Sequence, residues 1–174
     1  MESLEPFLKS ETGAAVRVGR AWRMAGGASR DCWGVDLEIE SGPEKGRHEL
    51  VLRRDLGGAI HSESLSRGEE FRVLRAAHSR GVSAPYPRWL CEDPAVLGGP
   101  FFLMDRLSGV ALGGRVVRAS EFFEARTMLP SQMGRELAAI HSIPLVPEIA
   151  SLPRPASGES PAQAALNAAL RSLR

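Results

Sequence analysis

Lysine is nearly absent from this sequence of 174 residues, and several other features are scarce as well. The 22 basic residues are scattered arginines apart from Lys9 and Lys45, and 21 acidic residues balance them. The net charge of +1 argues against the strongly basic surface of a dedicated nucleic-acid-binding protein. Cys32 and Cys91 are isolated in the sequence, so neither a zinc site nor a disulfide framework is indicated.

No segment has the pattern of a membrane span or a signal peptide. The apolar runs fall far short of the roughly 18 residues that a membrane span needs. The acidic N-terminus, Met1 to Glu5, lacks the basic and apolar regions of a signal peptide. The hydrophobic fraction of 43% is nevertheless large enough to fill a core. We therefore expect a folded cytoplasmic protein that binds neither membranes nor nucleic acid.

The first third of the chain has the pattern of an antiparallel sheet. From Trp33 to Ile39, apolar residues alternate with polar or small ones, as in a half-buried strand. Glycine-rich turns separate this strand from apolar segments on both sides. Three consecutive strands with short connections predict an antiparallel meander. The predicted elements are a helix at 2–10 and strands at 16–24, 33–39 and 48–54.

A helix at residues 65–80 is predicted to follow. Ser66 and Glu69 have the spacing of a capping box, in which two side chains close the N-terminus of a helix. Gly81 is suited to the position just after the helix end. Two further strands are predicted at 88–91 and 101–106.

The C-terminal part of the chain is predicted to be helical, with a proline-rich linker. Helices are predicted at 121–126 and 130–141, the five prolines of 144–161 indicate a linker, and a last helix begins near Pro161. That helix has no stop signal, and its apolar stripe has no evident partner. We therefore interpret the chain as truncated and expect a homodimer that forms through exposed apolar surface. The stripe consists of Leu166, Leu170 and Leu173.

Two adjacent arginines end the third predicted strand. Alternation along a strand places Leu50 and Leu52 on one face, and Arg54 shares that face. Val51 and Arg53 point to the other face. If that second face lines a cleft, Arg53 supplies a fixed cation there beside an apolar platform. The alternative is two solvated arginines at a strand end, and for Arg54 we expect little effect of removal.

Glu70 lies within the apolar side of the predicted helix. A helical projection puts it close to Leu74 and Ala77. A carboxylate drawn toward a core costs several kcal/mol unless it is paired. We therefore predict an ion pair between Glu70 and Arg53 on the preceding strand. The alternatives are that Glu70 reaches solvent, or that Arg67, one turn earlier, satisfies it.

The first turn between strands has the composition of a phosphate-binding loop. Gly26 and Gly27 let backbone N–H groups approach a phosphate, and Ser29 adds a hydroxyl. A turn with two glycines is also common in ordinary hairpins. The turn alone therefore does not establish a binding site.

The segment from Phe101 to Gly109 has the pattern of a buried strand that runs into a loop. Its backbone can offer donors and acceptors to a flat base, with Met104 and Leu107 as apolar walls. The same pattern is also typical of an interior strand that simply leads to the surface. Again, the pattern alone leaves both interpretations open.

Together these segments resemble the N-terminal lobe of the kinase-like phosphotransferases. The likeness is strongest to the aminoglycoside phosphotransferase family, including the branch associated with acyl-CoA dehydrogenase-like proteins. It covers residues 14–141 approximately, and the order and spacing of the segments carry it. The matching segments are GGAS at 26–29, LVLRR at 50–54, EEFRVL at 69–74, PFFLMDR at 100–106 and LAAIHS at 137–142.

The resemblance implies an α+β fold. A kinase-like N-terminal lobe, with a five-stranded antiparallel sheet and one packed helix, is expected at 1–106. The hinge and the incomplete start of the helical C-terminal lobe are expected at 107–174. The cofactor implied is ATP, with Mg²⁺ in the complete enzyme.

The resemblance also implies roles for individual residues. Arg53 takes the position of the phosphate-binding lysine, and Glu70 that of its partner on the helix. Arginine in place of lysine departs from the family pattern, although it can still bind phosphate bidentately. The hinge from Met104 to Leu107 would hold adenine. The remaining implied cofactor-binding residues are Gly26, Gly27, Ser29, Val51 and Asp105.

The residues that transfer the phosphoryl group are missing from this chain. The family places a His-Gly-Asp loop after the helix that corresponds to the one ending at His141, and an asparagine and a second aspartate hold magnesium. Here His141 is followed by Ser142, no aspartate occurs after Asp105, and the only asparagine is Asn167. We therefore expect no catalytic or metal-binding residue in this chain and no phosphoryl transfer by it alone.

The function implied is that of the nucleotide-binding lobe of an ATP-dependent phosphotransferase that acts on a small-molecule hydroxyl. The partners implied are a nucleotide and, in the complete enzyme, the acceptor. One alternative is a non-catalytic, kinase-like regulatory or interaction module. Another is an unrelated α+β domain in which the pair of Arg53 and Glu70 is only structural.

Overall fold

A single antiparallel sheet organises the N-terminal part of the chain. The computed structural model describes residues 3–24, 31–55, 65–110, 112–150, 152 and 154–172. The strands lie in the order β1-β2-β3-β5-β4. Their bounds are β1 Val16–Arg23, β2 Asp31–Ile39, β3 Gly46–Arg54, β4 Pro87–Cys91 and β5 Phe101–Asp105.

Six helices accompany the sheet in the described residues. They are α1 Leu4–Thr12, α2 Arg67–Ser79, α3 Pro94–Leu97, α4 Gly113–Arg118, α5 Phe123–His141 and α6 Pro161–Ser172. Short 3-10 turns lie at Ser120–Phe122 and Pro147–Ile149. The α+β class and the five-stranded antiparallel sheet expected from the sequence are confirmed.

Helix α1 covers one face of the sheet. Phe7 of α1 packs edge-on against Phe101, with ring centroids 5.2 Å apart, and Phe101 is the cross-strand partner of Arg54. Because cross-strand partners share a face, this is the face of Leu50 and Leu52, here called the Leu50 face. A buried apolar cluster fills the space beneath α1, and it includes Leu4, Leu8, Val35, Leu37, Ile39, Leu50, Leu52, Trp89 and Leu103.

Helix α2 packs on the opposite face. Phe71 of α2 lies edge-on to Phe102, with centroids 5.9 Å apart, and Phe102 is the cross-strand partner of Arg53. We call this side of the sheet the Arg53 face. The sequence predicted one packed helix, and α2 is that helix. The structure adds α1 on the other face.

The ends of α2 follow from local sequence. The Ser66 side chain accepts a hydrogen bond from the backbone N–H of Glu69, and the Glu69 carboxylate accepts one from the backbone N–H of Ser66. These bonds satisfy two donors that a helix N-terminus leaves open. They also help to hold the pKa of Glu69 below its usual range. The predicted capping box is therefore confirmed.

The segment around Pro130 departs from the sequence prediction. We expected separate helices at 121–126 and 130–141, because proline favours the first turn of a helix. Instead α5 runs unbroken from Phe123 to His141 with Pro130 inside it. Proline cannot donate the internal hydrogen bond there. The sequence prediction was wrong because it took Pro130 as the start of a helix, whereas Pro130 lies inside one.

The predicted linker at 144–161 is also partly structured. Ile149, in the 3-10 turn, is buried, and this turn lies against α2. Prolines favour extended or turn backbone, but they do not prevent a single apolar side chain from packing. In the described part of the chain, none of the helices is both long and apolar enough to cross a membrane.

Candidate functional site

Strand register assembles three rows of side chains on the Arg53 face. The first row brings Cys32 of β2, Arg53 of β3 and Phe102 of β5 side by side. The second row consists of Trp22, Gly34, Val51 and Met104, and the third contains Arg20, Asp36 and Glu49. The first row lies where β2 begins and β3 ends, and the third lies nearest the end of β5. The face therefore offers a cation, then an apolar strip, then a charged group.

The ion pair predicted between Arg53 and Glu70 is present. Nη1 of Arg53 contacts Oε1 of Glu70, and the two side chains are 27% and 18% exposed. This partial burial fits the position of Glu70 within the apolar side of α2, close to the buried Ala77. The pair links β3 to α2 on the Arg53 face. The expectation that two solvated arginines end the strand is thus wrong for Arg53.

Arg67 also binds Glu70. Nη1 of Arg67 lies 2.5 Å from Oε2 of Glu70, and the Arg67 side chain is fully buried. Arg67 is the first residue of α2, where the capping box at Ser66 fixes the backbone. The sequence offered Arg53 and Arg67 as alternative partners. The structure uses both, one on each carboxylate oxygen.

Asp55 completes this cluster at the end of β3. Its Oδ2 accepts a hydrogen bond of 3.1 Å from Nε of Arg67. The Asp55 backbone is itself fixed, since its N–H donates to the carbonyl of Pro100 at 3.0 Å. A Cβ at Gly99 would stand only 1.8 Å from the Asp55 carbonyl oxygen, so this close approach requires glycine. Charges therefore alternate from Asp55 through Arg67 and Glu70 to Arg53.

Trp22 provides most of the flat apolar surface in the second row. A Cβ at Gly34 would lie 2.3 Å from the indole, so the ring rests against the β2 backbone at a position that only glycine allows. The guanidinium carbons of Arg20 and Arg106 lie 4.5 and 4.8 Å from the ring centroid, within the range of cation–π attraction. Trp22 is thus held on the Arg53 face by contacts on several sides.

Arg106 connects the end of β5 to the third row. Its Nη2 lies 2.7 Å from Asp36 and 3.1 Å from Glu49. Its backbone N–H also donates to the carbonyl of Glu49. Burial alone would lower the pKa of Arg106, but the hydrogen bonds to the two carboxylates raise it overall. The first residue after β5 is therefore a permanent cation anchored to the sheet.

The side chains of the other predicted site residues do not all lie on the Arg53 face. Val51 and Met104 are cross-strand partners on the Arg53 face. The Asp105 side chain binds Arg88 at 2.5 Å and pairs across the sheet with Leu50, so it lies on the Leu50 face. Leu107 is 63% exposed. For Asp105, only the backbone is available to the Arg53 face.

The predicted phosphate-binding residues Gly26, Gly27 and Ser29 lie outside the described residues. The described residues Arg23 and Asp31 on either side of this segment lie at the end of the sheet where Arg53 stands. The prediction for this turn remains a prediction.

Arg54 has a structural role that the sequence did not indicate. Its Nε and Nη2 donate to Oδ2 of Asp31 at 3.1 and 2.5 Å, and its Nη1 donates to the carbonyl of Leu97 at 2.5 Å. The Asp31 side chain is only 3% exposed and also accepts from Nε1 of Trp33. The expectation that Arg54 matters little was wrong, because strand register places it opposite a buried carboxylate.

Sequence reasoning missed Trp22, Asp55 and Arg106 as members of the site. No motif marks them, and their contacts span distant segments of the chain. The sequence does carry one signal for Arg67: an arginine directly after the capping serine must lie on the first turn, one turn before Glu70.

The fold is similar to that of a solved phosphotransferase. The crystal structure of a candidate aminoglycoside phosphotransferase from Ralstonia eutropha aligns with a TM-score of 0.58 and 25% sequence identity. The alignment covers 80% of this chain and 37% of that protein.

Similar curated proteins carry acyl-CoA dehydrogenase names. Acyl-CoA dehydrogenase family member 10 of Mus musculus is 31% identical over 97 residues, which are 56% of this chain and 9% of that protein. Acyl-CoA dehydrogenase family member 11 of Homo sapiens is 32% identical over 66 residues, 38% of this chain and 8% of that protein. A probable acyl-CoA dehydrogenase of Arabidopsis thaliana is 29% identical over 109 residues, 61% of this chain and 13% of that protein.

The chain thus spans only a small part of these relatives. The model of the phosphotransferase enzyme family, by contrast, matches residues 38–174. Because this match covers well over half of the chain, the protein belongs to the phosphotransferase enzyme family.

Proposed function

We propose that this chain is the nucleotide-binding lobe of an ATP-dependent phosphotransferase whose acceptor is a hydroxyl group of a small molecule. Residues 1–106 would form the lobe, and 107–174 the hinge and the start of the helical lobe. Family membership supports the reaction class. The observation that supports nucleotide binding is the ion pair of Arg53 and Glu70, which lies beside the apolar strip of Val51 and Met104.

The Arg53 face has the chemistry that a nucleoside triphosphate requires. Arg53 can donate to phosphate oxygens in a fork geometry that lysine lacks. Its Nε is buried and makes no hydrogen bond to any residue that the structure describes. The apolar strip of the second row suits a flat base. In the hinge from Met104 to Leu107, the N–H groups of Asp105 and Arg106 already donate to the carbonyls of Tyr86 and Glu49, so other backbone groups of this hinge would supply the hydrogen bonds to the edge of the base. Gly26, Gly27 and Ser29 would close over the phosphates.

The residues of this chain do not fit the magnesium that the family resemblance implies. Across the described ranges, no group of three or more His, Cys, Asp or Glu side chains could hold a metal ion. No aspartate follows Asp105 in the sequence. We therefore assign this chain the binding of the nucleotide and no step of phosphoryl transfer.

Tryptophan fluorescence offers a direct test. Of the three tryptophans, Trp22 lies on the Arg53 face, whereas Trp33 and Trp89 lie on the Leu50 face. The double variant Trp33→Phe/Trp89→Phe keeps Trp22 as its only tryptophan. Its emission should change saturably as ATP is added, because the base binds in the same row.

The matched control is Trp22→Phe, which retains the two tryptophans of the Leu50 face. Its emission should stay constant during the same titration. Arg53→Met in the single-tryptophan background should weaken ATP binding, with adenosine binding retained. Absence of any saturable response to ATP, together with absence of binding heat in calorimetry, would refute the proposed function.

A further inference from the structure

Glu70 divides its two carboxylate oxygens between two arginines. Oε1 contacts Arg53, while Oε2 lies 2.5 Å from Nη1 of Arg67. A carboxylate with one arginine can turn both oxygens toward it in a bidentate pair. Arg67 opposes that arrangement, because its Nη1 pairs with the second oxygen. Arg53 therefore shares its carboxylate with a competing cation.

Arg67 is well placed to fix this geometry. Its side chain is completely buried, and its Nε binds Asp55 at 3.1 Å. Asp55 is in turn fixed through its backbone by Pro100 and by the close approach of Gly99. The start of α2 is thus anchored to the end of β3. Because Glu70 lies on the same first turn, its carboxylate is anchored as well.

Charge balance links this cluster to anion binding. Asp55 and Glu70 carry two negative charges, and Arg53 and Arg67 carry two positive ones. Without Arg67, Glu70 and Asp55 would both lose this positive partner. The surroundings of the phosphates would then have one positive charge fewer. Without the charge of Asp55, they would have one negative charge fewer.

We propose that Arg67 is a positioning residue, which sets Glu70 so that Arg53 can receive the phosphates of a nucleotide. The inference rests on the proposed function and adds a residue that does not itself contact the nucleotide. Arg67→Met should lower ATP affinity about tenfold, as expected for the loss of one positive charge at a partly screened distance. Adenosine affinity should stay the same, because the base binds elsewhere on the face.

Asp55→Asn should have the opposite effect on ATP. Without the charge of Asp55, Arg67 can interact more strongly with Glu70. Glu70 then competes less with phosphate for Arg53. ATP affinity relative to adenosine should rise about threefold, by the same Coulomb argument with a weaker and more exposed charge. A residue that only supported the fold would not raise affinity when its partner is removed. If Arg67→Met fails to fold, the measurement on Asp55→Asn therefore still tests the positioning role of Arg67.

The experiment is calorimetry on the full chain with ATP, adenosine and inorganic triphosphate. Arg53→Met is the positive control for phosphate binding. Arg72→Met on the same helix is the neutral control, because Arg72 lies 4.0 Å from an exposed Glu92 and away from the cluster. Circular dichroism confirms that each variant is folded.

The outcomes separate this inference from the proposed function. Loss of ATP affinity in Arg67→Met with a gain in Asp55→Asn supports the positioning role. If Arg53→Met weakens ATP but neither of these variants changes the ratio of ATP to adenosine affinity, Arg67 is only structural and the proposed function stands. If the unaltered chain binds no nucleotide, both fail.

Discussion

Arg54 and Asp31 form a buried ion pair that joins the ends of β2 and β3 on the Leu50 face. One Asp31 oxygen accepts from two nitrogens of Arg54, at 3.1 and 2.5 Å. The two residues are cross-strand partners, so the sheet register itself brings them together. The pair stands next to Arg53 in sequence but on the other side of the sheet. Arg53 thus belongs to the candidate site, whereas Arg54 has a structural role.

We expect Arg54→Ala to destabilise the protein by about 3 kcal/mol, because it removes the closest charged partner of the buried Asp31 and leaves the exposed Arg23, at 3.3 Å, in its place. The free energy of unfolding in urea measures the effect. Arg47→Ala on the same strand is the control, since Arg47 is exposed and surface substitutions usually change stability by less than about 0.5 kcal/mol. Equal stabilities for the two variants would show that the pair contributes little.

Lowering the pH should weaken the ion pair of Arg54 and Asp31. Burial would raise the pKa of Asp31, but hydrogen bonds from Arg54 and Trp33 hold it below its usual range overall. A carboxyl group whose pKa is lower in the folded than in the unfolded chain stabilises the fold above its unfolded value, about 3.9. That contribution is lost as the pH falls through the lower pKa of the folded state.

We therefore expect Asp31→Asn to be less stable than the unaltered chain at pH 7, with a difference that shrinks as the pH falls below about 4. Urea unfolding from pH 7 to pH 2.5 measures it. Glu69 and Glu136 also have lowered pKa values, but both variants share them, so the difference isolates Asp31. A difference that is constant with pH would contradict the prediction.

Local patterns were sufficient for much of the fold. The alternation from Trp33 to Ile39 and the capping box at Ser66 were confirmed because both depend on residues close together in sequence. The helical phase of Glu70 likewise indicated that its carboxylate needs a cationic partner, and Arg53 is one such partner. These features share one property: a single element, viewed alone, already requires them.

The missed features depend on register and on packing between distant segments. Arg54 meets Asp31 only when β2 and β3 are aligned residue by residue, and Trp22 meets Arg106 only when the end of β5 is in place. For Pro130 the local preference itself gave the wrong prediction, because it indicated the start of a helix at a position where the helix continues. A one-dimensional pattern contains no information on such alignments.

The pair of Arg53 and Glu70 can be tested by a double-mutant cycle. Glu70→Ala leaves two arginines without this carboxylate and should cost about 3 kcal/mol or more. Arg53→Ala leaves Glu70 still bound to Arg67, so its cost should be nearer 1 kcal/mol. The double variant should lose less than the sum of the two, because neither partner then stands alone. Urea unfolding of the three variants gives the coupling.

Glu69→Ala is the matched control for this cycle. Glu69 neighbours Glu70 but serves the capping box, so its loss should cost about 1 kcal/mol. It should also show no coupling to Arg53→Ala, since the two side chains have no common partner in the described residues. Strict additivity between Arg53 and Glu70 would mean that the contact contributes nothing to stability.

The exposed apolar side chains predict association between chains. In the described residues, the large apolar side chains that are well exposed lie between Leu107 and Leu170. Leu166 and Leu170, on one side of α6, are 53% and 52% exposed. Apolar patches of this kind promote contact between molecules. We expect dimers or larger species in light scattering at high micromolar concentration.

Substitution of the two leucines tests whether this surface is responsible. Leu166→Gln/Leu170→Gln should shift the protein toward the monomer, because it removes two apolar contacts worth roughly 1–2 kcal/mol each while glutamine preserves helix propensity. Ala165→Gln on the same helix is the control, since Ala165 is exposed, small and about 100° around the helix from Leu166. It should leave the apparent mass unchanged. A monomer at every concentration, or an equal shift in both variants, would rule out α6 as the contact surface.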